Sequence, residues 1–425
     1  MLDEGVGEQF FARPLTLDSK EITTFNDLLG LGIDALYDYQ DDENGGICIT
    51  KYLGDDISIL EIPSLINGKP VTGIGERVFE YNSFASVILP ETLTHIDKEA
   101  FRSCYYLTSI TFPASLTSIG EYAFSGCDLQ EVYIPDNVTD IGAGAFYYCT
   151  NLRSVRLPSG LQKVPASAFS GCAISSIDVP DTVTEIGKSA YYDCDSLRSV
   201  YLPENISIIG DSAFNGCDAL TDITCAGEIE LLDHAALGDC GWLTSVTFQK
   251  GVKVVGDYAF SSCPALQTID LYGAESLGES AFRWDTGLTN VILPDTLTEF
   301  GAKPFGDYTH TGATYEVPEN LRLTVITNSY AESWAKENGI PYVSVAPPTE
   351  EELLAKRYPI LTIGSTGENV RLLQQTLIDS GYLNDIADGS YGPNTAKAVA
   401  TAQETFGMEA DGIASSSFQA KLYGE

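Results

Sequence analysis

The cysteines of this sequence have a spacing that invites a chemical explanation. Eight of the ten recur at steps of 22 or 23 residues: Cys104, Cys127, Cys149, Cys172, Cys194, Cys217, Cys240 and Cys263. Thiols at a constant spacing can form disulfides, bind a metal or take part in redox chemistry. None of these cysteines belongs to a C-x-x-C pair or has a histidine held nearby in sequence, which disfavours a metal or redox centre.

Disulfides between the repeating cysteines are also disfavoured by geometry. Equivalent positions in stacked strands lie about 4.8 Å apart with parallel Cβ directions. A disulfide needs the two Cβ atoms to approach to about 3.8 Å. We therefore expect a ladder of buried, reduced thiols that act as small apolar side chains with a weak hydrogen bond. No metal and no cofactor is expected.

Catalytic residues are not recognisable in the chain. The three histidines, His95, His234 and His310, stand at different positions of the repeat and cannot be assumed to converge. The sequence contains no H-E-x-x-H, no nucleophile elbow and no cysteine, histidine and asparagine set. Paired carboxylates cannot be inferred in a chain with 60 acidic residues. We expect a protein that is not an enzyme.

The cysteines belong to a longer repeat that must position them. An aromatic or apolar anchor returns every 22 or 23 residues, at Phe79, Phe101, Phe124, Phe146, Phe169, Tyr191, Phe214, Leu237, Phe260, Phe282 and Phe305. A fixed period of this length is typical of solenoids, whose units bury their apolar faces only by stacking. Function is then expected on an extended surface, which favours binding over catalysis.

One unit, residues 107–130, shows the elements of each coil. A short strand at Ile110 to Phe112 is ended by Pro113, which cannot donate the next ladder hydrogen bond. A second extended segment follows, Gly120 allows the corner, and Phe124 begins a short helical turn that fills the core. The sequence predicts an α/β solenoid: a leucine-rich repeat right-handed superhelix with short parallel strands, plus a small C-terminal three-helix domain.

The repeat resembles the BspA-like, or Treponema pallidum type, leucine-rich repeat family, whose unit reads L-x-x-I-x-L-P-x-x-L-x-x-I-G-x-x-A-F-x-x-C. The match is close in the units anchored at Phe101, Phe124, Phe146, Phe169 and Phe214. It weakens at 225–237 and 249–251, where the departures are tolerable core variants that leave room for local bends or bulges. The resemblance implies a bacterial or protist surface protein that adheres to host or matrix components, without naming the ligand.

The outward column is the set of positions between the two inward residues of each strand. It comprises Ile88, Thr111, Tyr133, Arg156, Asp178, Tyr201, Thr224, Thr247, Asp270 and Ile292. Aromatic residues and a lone arginine among small polar residues are typical of binding hot spots. We expect a ligand site on the concave face at Tyr133, Arg156, Asp178 and Tyr201. The alternative is that exposed tyrosines simply suit a strand.

Domain boundaries follow from where the period fails. Residues 1–46 form an acidic segment in which Phe25 to Tyr39 has the spacing of an amphipathic helix. Residues 47–78 form an N-terminal cap and first repeat, with a turn at Asn67 and Gly68. The repeats then occupy 79–320.

A C-terminal cap is expected at 321–346. Ser329 and Glu332 form a capping box that opens a helix closed by Gly339. Residues 347–360 have the prolines and acids of a short, stiff, charged linker.

The last segment, 361–425, has the spacing of three helices separated by D-G turns. It resembles the peptidoglycan-binding domain 1 family in the motifs G-x-x-G-x-x-V-x-x-L-Q, G-Y-L, D-G-x-Y-G-x-x-T and D-G-I-A, with departures at Ala402, Ser415 and Ser417. The resemblance implies glycan contact by Asp388, Gly389, Tyr391, Gly392 and Thr395. The alternative is that these residues only fix the turn and the helix entry.

Charge and hydropathy restrict the partners and the location. The formal charge of −37 disfavours nucleic acid, anionic membranes and polyanionic wall polymers. No stretch has the roughly 18 apolar residues of a transmembrane helix. Residues 1–7 lack the basic and apolar parts of a secretion signal, so we expect a mature or trimmed form, because both resembling modules imply export.

These observations predict a non-catalytic bacterial cell-surface binding protein, extracellular and associated with the cell wall. The repeats would recognise an unknown host or bacterial surface protein or glycan, as in adhesion, while the C-terminal module binds peptidoglycan. A scaffold of the cell wall or spore envelope is the alternative. An accessory to a cell-wall hydrolase is a further one.

Overall fold

The computed structural model describes residues 15–17, 20–22, 36–42, 45–55, 57–308 and 315–424. His310 and most of the expected helix at 25–39 lie outside these ranges. Within them the chain winds as a solenoid in which each coil adds one rear strand and, in all but one of the repeats, one front strand. Neighbouring coils pair in parallel, as with Ser109–Thr111 on Ser86–Ile88 and Ser118–Ile119 on Asp140–Ile141.

The front strands carry the L-x-x-I-x-L phrase of each repeat. They are Ile59–Glu61, Ser86–Ile88, Ser109–Thr111, Glu131–Tyr133, Ser154–Arg156, Ser199–Leu202, Asp222–Cys225, Ser245–Phe248, Thr268–Asp270, Asn290–Leu293, Arg322–Ile326 and Tyr342–Val345. Residues 176–178, where the repeat predicts a further front strand, have no strand.

The rear strands follow the second extended segment of each coil. They are Ile47–Tyr52, Lys69–Ile74, His95–Ile96, Ser118–Ile119, Asp140–Ile141, Lys163–Val164, Glu185–Ile186, Ile208–Ile209, Ile229–Leu232, Val252–Val255, Ser276–Leu277 and Glu299–Phe300. The departures at 225–237 and 249–251 are tolerated core variants, and no bulge interrupts these ladders there. The strands there lengthen to four residues, and their pairing continues without a register shift.

The anchors stack along the interior of the solenoid. Successive aromatic rings from Phe79 to Phe214 lie 5.0 to 5.7 Å apart and nearly parallel. Leu237 interrupts the stack, which resumes from Phe260 to Phe305. All of the anchors are buried, so the repeated aromatic position forms one continuous core.

The segment around each anchor is a turn with alternating backbone handedness rather than the predicted helical turn. The residue two before each anchor has a φ between 49° and 63°, although nearly all of these residues are not glycine. In the coil of Phe101, the backbone N–H of Phe101 donates to Ala123 O of the next coil, whereas Arg102 donates to Glu99 O of its own coil. The alternation adds a third ladder of hydrogen bonds between coils, and this ladder holds the left-handed residues in place.

The cysteine ladder is confirmed. All ten cysteines are free and buried. Each repeating thiol donates to the carbonyl oxygen of the anchor one coil earlier, with Sγ to O distances of 3.1 to 3.2 Å. Burial raises the pKa of Cys149 to about 12, so its thiol stays protonated and unreactive.

Asp285 takes the ladder position in the coil of Phe282. Its side chain is fully buried, and Oδ1 accepts a hydrogen bond from the Cys263 backbone N–H at 2.7 Å. Oδ2 has no partner among the described residues. Burial raises the pKa of this carboxyl well above its usual range.

The N-terminal end is closed by a hairpin and an antiparallel strand. Leu65–Ile66 pairs with Lys69–Ile74 across the expected turn, where Asn67 and Gly68 both have positive φ. Tyr37–Asp41 pairs antiparallel with Ile47–Tyr52. Residues 37–39, at the end of the expected amphipathic helix, therefore lie in a strand, and this strand covers the first coil. A separate antiparallel pair joins Leu15–Leu17 and Lys20–Ile22.

The C-terminal end is closed by helix α1, Tyr330–Glu337, between the last two front strands. Its Trp334 stacks on Phe300, with ring centres 4.0 Å apart. Ser329 accepts from Glu332 N–H as predicted, but the Glu332 carboxylate accepts from Asn328 N–H and not from Ser329, so the capping box is incomplete. A short antiparallel pair, Asp307–Tyr308 with Tyr315–Glu316, precedes this cap.

The segment expected to be a linker contains helix α2, Glu350–Arg357, which opens with a complete capping box of Thr349 and Glu352. The three predicted helices follow: α3, Glu368–Asp379, α4, Pro393–Thr405, and α5, Ser416–Tyr423. They enclose a second apolar core, separate from that of the solenoid. We call residues 350–424 the C-terminal module. No helix among the described residues is both long and apolar enough to cross a membrane.

Candidate binding surfaces

Tyr133 and Arg156 form an open pair on adjacent front strands. They are register partners, and the Arg156 guanidinium lies 4.4 Å from the centre of the Tyr133 ring. The Tyr133 side chain is 56% exposed. Asp136 Oδ2 lies 3.4 Å from the same guanidinium. The pKa of Asp136 is lowered, chiefly by a hydrogen bond from the Ser159 backbone N–H. The structure thus brings together two of the four residues expected on the concave face.

Tyr201 is not an open member of this site, and the expectation of its exposure is wrong. Its hydroxyl is buried and has no hydrogen-bond partner among the described residues. Burial is the main cause that raises the pKa of the Tyr201 hydroxyl, and the negative charge of Glu368 on helix α3 raises it further. The side chain faces outward from the sheet as predicted, but the C-terminal module covers it.

Asp178 lies at the border of the covered area. It is exposed and belongs to the coil without a front strand. Arg371 of helix α3 interacts electrostatically with Asp178 and Asp181, and its own guanidinium is bonded to Glu368 at 2.8 Å. The column therefore divides into an open part, at Tyr133 and Arg156, and a covered part that begins near Asp178.

Polar contacts hold the C-terminal module against the front strands. Lys356 Nζ on helix α2 lies 2.5 Å from Asp270 Oδ2 and 5.6 Å from the centre of the Tyr272 ring. Farther along, Gln249 Nε2 donates to Asn369 Oδ1 at 3.0 Å. These contacts join residues up to 120 positions apart in sequence, which is why no local pattern predicted them.

Clefts remain between the module and the front strands. The larger has a volume of about 770 Å³ and lies between helix α2 and the residues Asp270, Tyr272 and Ile292. A smaller one of about 290 Å³ is lined by Gln249, Asn369 and Tyr423 among others. The module therefore rests on the solenoid without filling the whole interface.

Within the module, the first D-G turn is fixed by Gln374 of helix α3. Gln374 Nε2 donates to Asp388 Oδ1 at 2.8 Å and to Thr395 Oγ1 at 3.1 Å, and Gln374 Oε1 accepts from Gly389 N–H at 2.8 Å. Gln374 and then Ser390 N–H lower the pKa of Asp388. Gly389 has a φ of +69°, which explains the glycine.

The second D-G turn repeats this arrangement. Gln403 Nε2 donates to Asp411 Oδ1 at 2.8 Å, and Gln403 Oε1 accepts from Gly412 N–H at 2.9 Å. Tyr391 joins the two turns, because its hydroxyl donates to Gly412 O at 2.8 Å. The sequence signal for this arrangement is a glutamine on a helix near each D-G turn, Gln374 and Gln403.

The five expected glycan residues therefore differ in their accessibility. Tyr391 and Thr395 are buried, and their side chains are used inside the module. Asp388 is exposed, whereas Gly389 and Gly392 are partly exposed. The side chains of Tyr391 and Thr395 thus have the internal role that the structural alternative describes, and glycan contact by the five residues stays a prediction.

The fold and these surfaces define a leucine-rich repeat solenoid with an appended helical module. The family described as BspA type leucine rich repeat region matches residues 72–198 and 184–311, in six copies. Since these matches span more than half of the chain, the protein belongs to this family. The family described as putative peptidoglycan binding domain matches residues 366–422. Together the two families fit a binding protein associated with the cell surface or cell wall.

Several solved structures resemble the chain. A leucine-rich repeat protein from Bacteroides ovatus is 25% identical, with a TM-score of 0.41 over 73% of this chain and 98% of that one. A leucine rich cell surface protein from Faecalibacterium prausnitzii is 23% identical, with a TM-score of 0.41 over 75% and 94%. The T. pallidum leucine rich repeat protein is 24% identical, with a TM-score of 0.31 over 55% and 88%. A search of curated proteins finds no match.

Proposed function

We propose that this chain is a non-catalytic, extracellular adhesion protein. Its repeats recognise a protein or glycan, and its C-terminal module binds the peptidoglycan of the cell wall. The observation that carries the proposal is the division of the chain into two separate cores, each matching a different binding family. One module can hold the wall while the other presents a surface.

The open pair of Tyr133 and Arg156 is the proposed contact for the partner of the repeats. A large aromatic ring stacked under a guanidinium offers both an apolar face and hydrogen-bond donors, and these two residue types dominate binding hot spots. Asp178 lies at the edge of this surface. Tyr201 can contribute only when the C-terminal module moves away, because the module covers it.

Binding by this pair can be tested with Tyr133→Ala and Arg156→Ala. Each variant should lose most of its binding to the extracellular-matrix proteins or glycans that the parent retains in an array, with an unchanged melting temperature. Ile88→Ala is the matched control, because Ile88 is 51% exposed in the same column but lies outside the pair. If both variants bind as the parent does, recognition lies elsewhere on the solenoid.

The wall-binding part of the proposal rests on the match at 366–422 and on the exposed part of its first D-G turn, Asp388, Gly389 and Gly392. The full chain should co-sediment with purified peptidoglycan, and a chain ending at Pro347 should stay in the supernatant. Equal sedimentation of the two chains would remove the anchoring role. A clearing band at the position of the full chain in a cell-wall zymogram would instead support a hydrolase.

The envelope scaffold remains the second candidate, since there both ends would bind components of the same envelope. Antibodies against the repeats separate the two on intact cells. An adhesion protein should be labelled without disrupting the envelope. A scaffold should be labelled only after disruption.

A further inference from the structure

Three neighbouring rear strands bring a cysteine and a histidine together at the N-terminal end of the solenoid. Cys48 pairs with Gly73, and Gly73 pairs with His95. Gly73 thus separates the cysteine from the histidine across the sheet. A Cβ atom at Gly73 would lie only 2.1 Å from His95 Nε2. The imidazole therefore occupies the space that a side chain at Gly73 would need, on the side of Cys48.

Asp97 completes the group, and it departs from the repeat. The residue after the rear strand is glycine in most units: Gly75, Gly120, Gly142, Gly187, Gly210, Gly256, Gly278 and Gly301. In the unit of His95 it is an aspartate. The ligand atoms of Cys48, His95 and Asp97 all lie within 4.8 Å of one another. Cys48 is 6% exposed, whereas His95 and Asp97 are partly exposed, so the group can be reached from solvent.

The hydrogen bonds around His95 leave Nε2 free to act as a ligand. The Thr94 hydroxyl donates its single proton to Thr72 O at 2.9 Å. The same hydroxyl oxygen lies 3.1 Å from His95 Nδ1, so it accepts a hydrogen bond from Nδ1–H. Neutral imidazole carries one proton, and Nε2 then holds a lone pair. Fixing the tautomer through the other ring nitrogen is the usual support for a metal-bound histidine.

We propose that Cys48, His95 and Asp97 bind one divalent cation of the zinc class. A thiolate, an imidazole nitrogen and a carboxylate oxygen form a mixed ligand set that suits zinc better than magnesium or calcium, which prefer oxygen. Three protein ligands leave one tetrahedral position for water. The ligands come from 50 residues of sequence with no local spacing motif, so sequence analysis expected no metal.

The bound cation would join the first coils of the solenoid. Cys48 belongs to strand Ile47–Tyr52, while His95 belongs to His95–Ile96, and Asp97 follows the latter directly. A cation held by all three connects these strands across Lys69–Ile74. Because it binds the folded chain only, it should raise the melting temperature as its concentration increases.

Cobalt provides the direct test, because a cobalt–thiolate bond gives a charge-transfer absorption in the near ultraviolet. Cobalt chloride added to the reduced full chain, without an affinity tag, should produce this band with about one equivalent, as a single site requires. Zinc chloride should abolish it by displacement. Cys48→Ser should remove the band, and Cys225→Ser, which alters another buried cysteine outside the repeating ladder, should keep it.

Two further variants keep the test decisive if Cys48→Ser does not fold. His95→Gln and Asp97→Asn should each weaken cobalt binding by more than about tenfold, since the loss of outer partners alone costs that much. The melting temperature of the parent should rise on addition of zinc, and that of His95→Gln should not. Absence of the band in the parent, or unchanged affinity in both variants, would overturn the proposal.

Discussion

Reversing the charge of Lys356 should loosen the C-terminal module from the front strands. Lys356 Nζ lies 2.5 Å from Asp270 Oδ2, with side-chain exposures of 39% and 31%, and it also faces the ring of Tyr272. The glutamate of Lys356→Glu would face the carboxylate of Asp270. Two attractions would be lost and one repulsion added.

The size of the effect follows from these contacts. A partly exposed ion pair contributes about 0.2–1 kcal/mol, and a cation over an exposed aromatic ring contributes about 0.5–1 kcal/mol. A repulsion comparable to the ion pair brings the total to about 1–3 kcal/mol, a factor of roughly 5–150 in the docking equilibrium. The hydrogen bond between Gln249 and Asn369 remains, so we expect a shift in population and not complete release.

Hydroxyl-radical footprinting of Tyr201 measures this equilibrium, because the docked module covers the Tyr201 side chain. The probe changes no residue, so the hydrogen bond between Gln249 and Asn369 stays in place. Lys356→Glu should increase the oxidation of Tyr201, and added salt should increase it in the parent. Lys98→Glu, which breaks the ion pair with Glu121 within the solenoid, is the matched control. Oxidation of Tyr201 at the parental rate in Lys356→Glu would refute the role of this lysine.

Three other predictions concern the solenoid. Native protein should titrate few thiols and unfolded protein close to all ten, because all ten cysteines are buried and burial raises the pKa of Cys149; full reaction of the native chain would contradict the buried ladder. Phe146→Ala should cost about 3–5 kcal/mol in urea unfolding, and Phe146→Leu should cost less, since Leu237 occupies an anchor position; equal costs would argue against the aromatic stack. The raised pKa of Asp285 means that the folded state retains a proton that the unfolded chain loses, so stability should fall as pH rises from the ordinary aspartate pKa towards the folded pKa. Asp285→Asn should remove this fall, and a parental pH profile in the variant would exclude Asp285 as its cause.

The repeated parts of the fold were predictable because each element is encoded many times. The anchors, the front strands and the thiol ladder recur at one period, so stacking alone determines their placement. The left-handed residues before each anchor were not predictable. Residues such as Glu99 and Tyr122 do not favour positive φ, and hydrogen bonds to the next coil impose it.

The candidate sites were less predictable because they depend on contacts between distant segments. Tyr133 and Arg156 share a periodic column, which placed them correctly on adjacent strands. Tyr201 is covered by helix α3, which lies more than 150 residues later in the sequence. This helix is not part of the repeat, so the repeat period could not predict its contact with Tyr201. The role of Gln374 was hidden for a related reason: on helix α3 it fits the apolar spacing, yet its amide is used to fix the D-G turn.

Release from intact cells tests the central claim most directly, namely that the C-terminal module holds the repeats to the cell wall. The full chain and a chain ending at Pro347 would be exported by the same bacterial host and followed with antibodies to the repeats. We predict that the full chain stays with washed cells, is labelled at their surface and is released by muramidase digestion of the wall, while the shorter chain is found in the medium without digestion. Retention of both chains, or a full chain that stays with the cells after the wall is digested, would contradict the account.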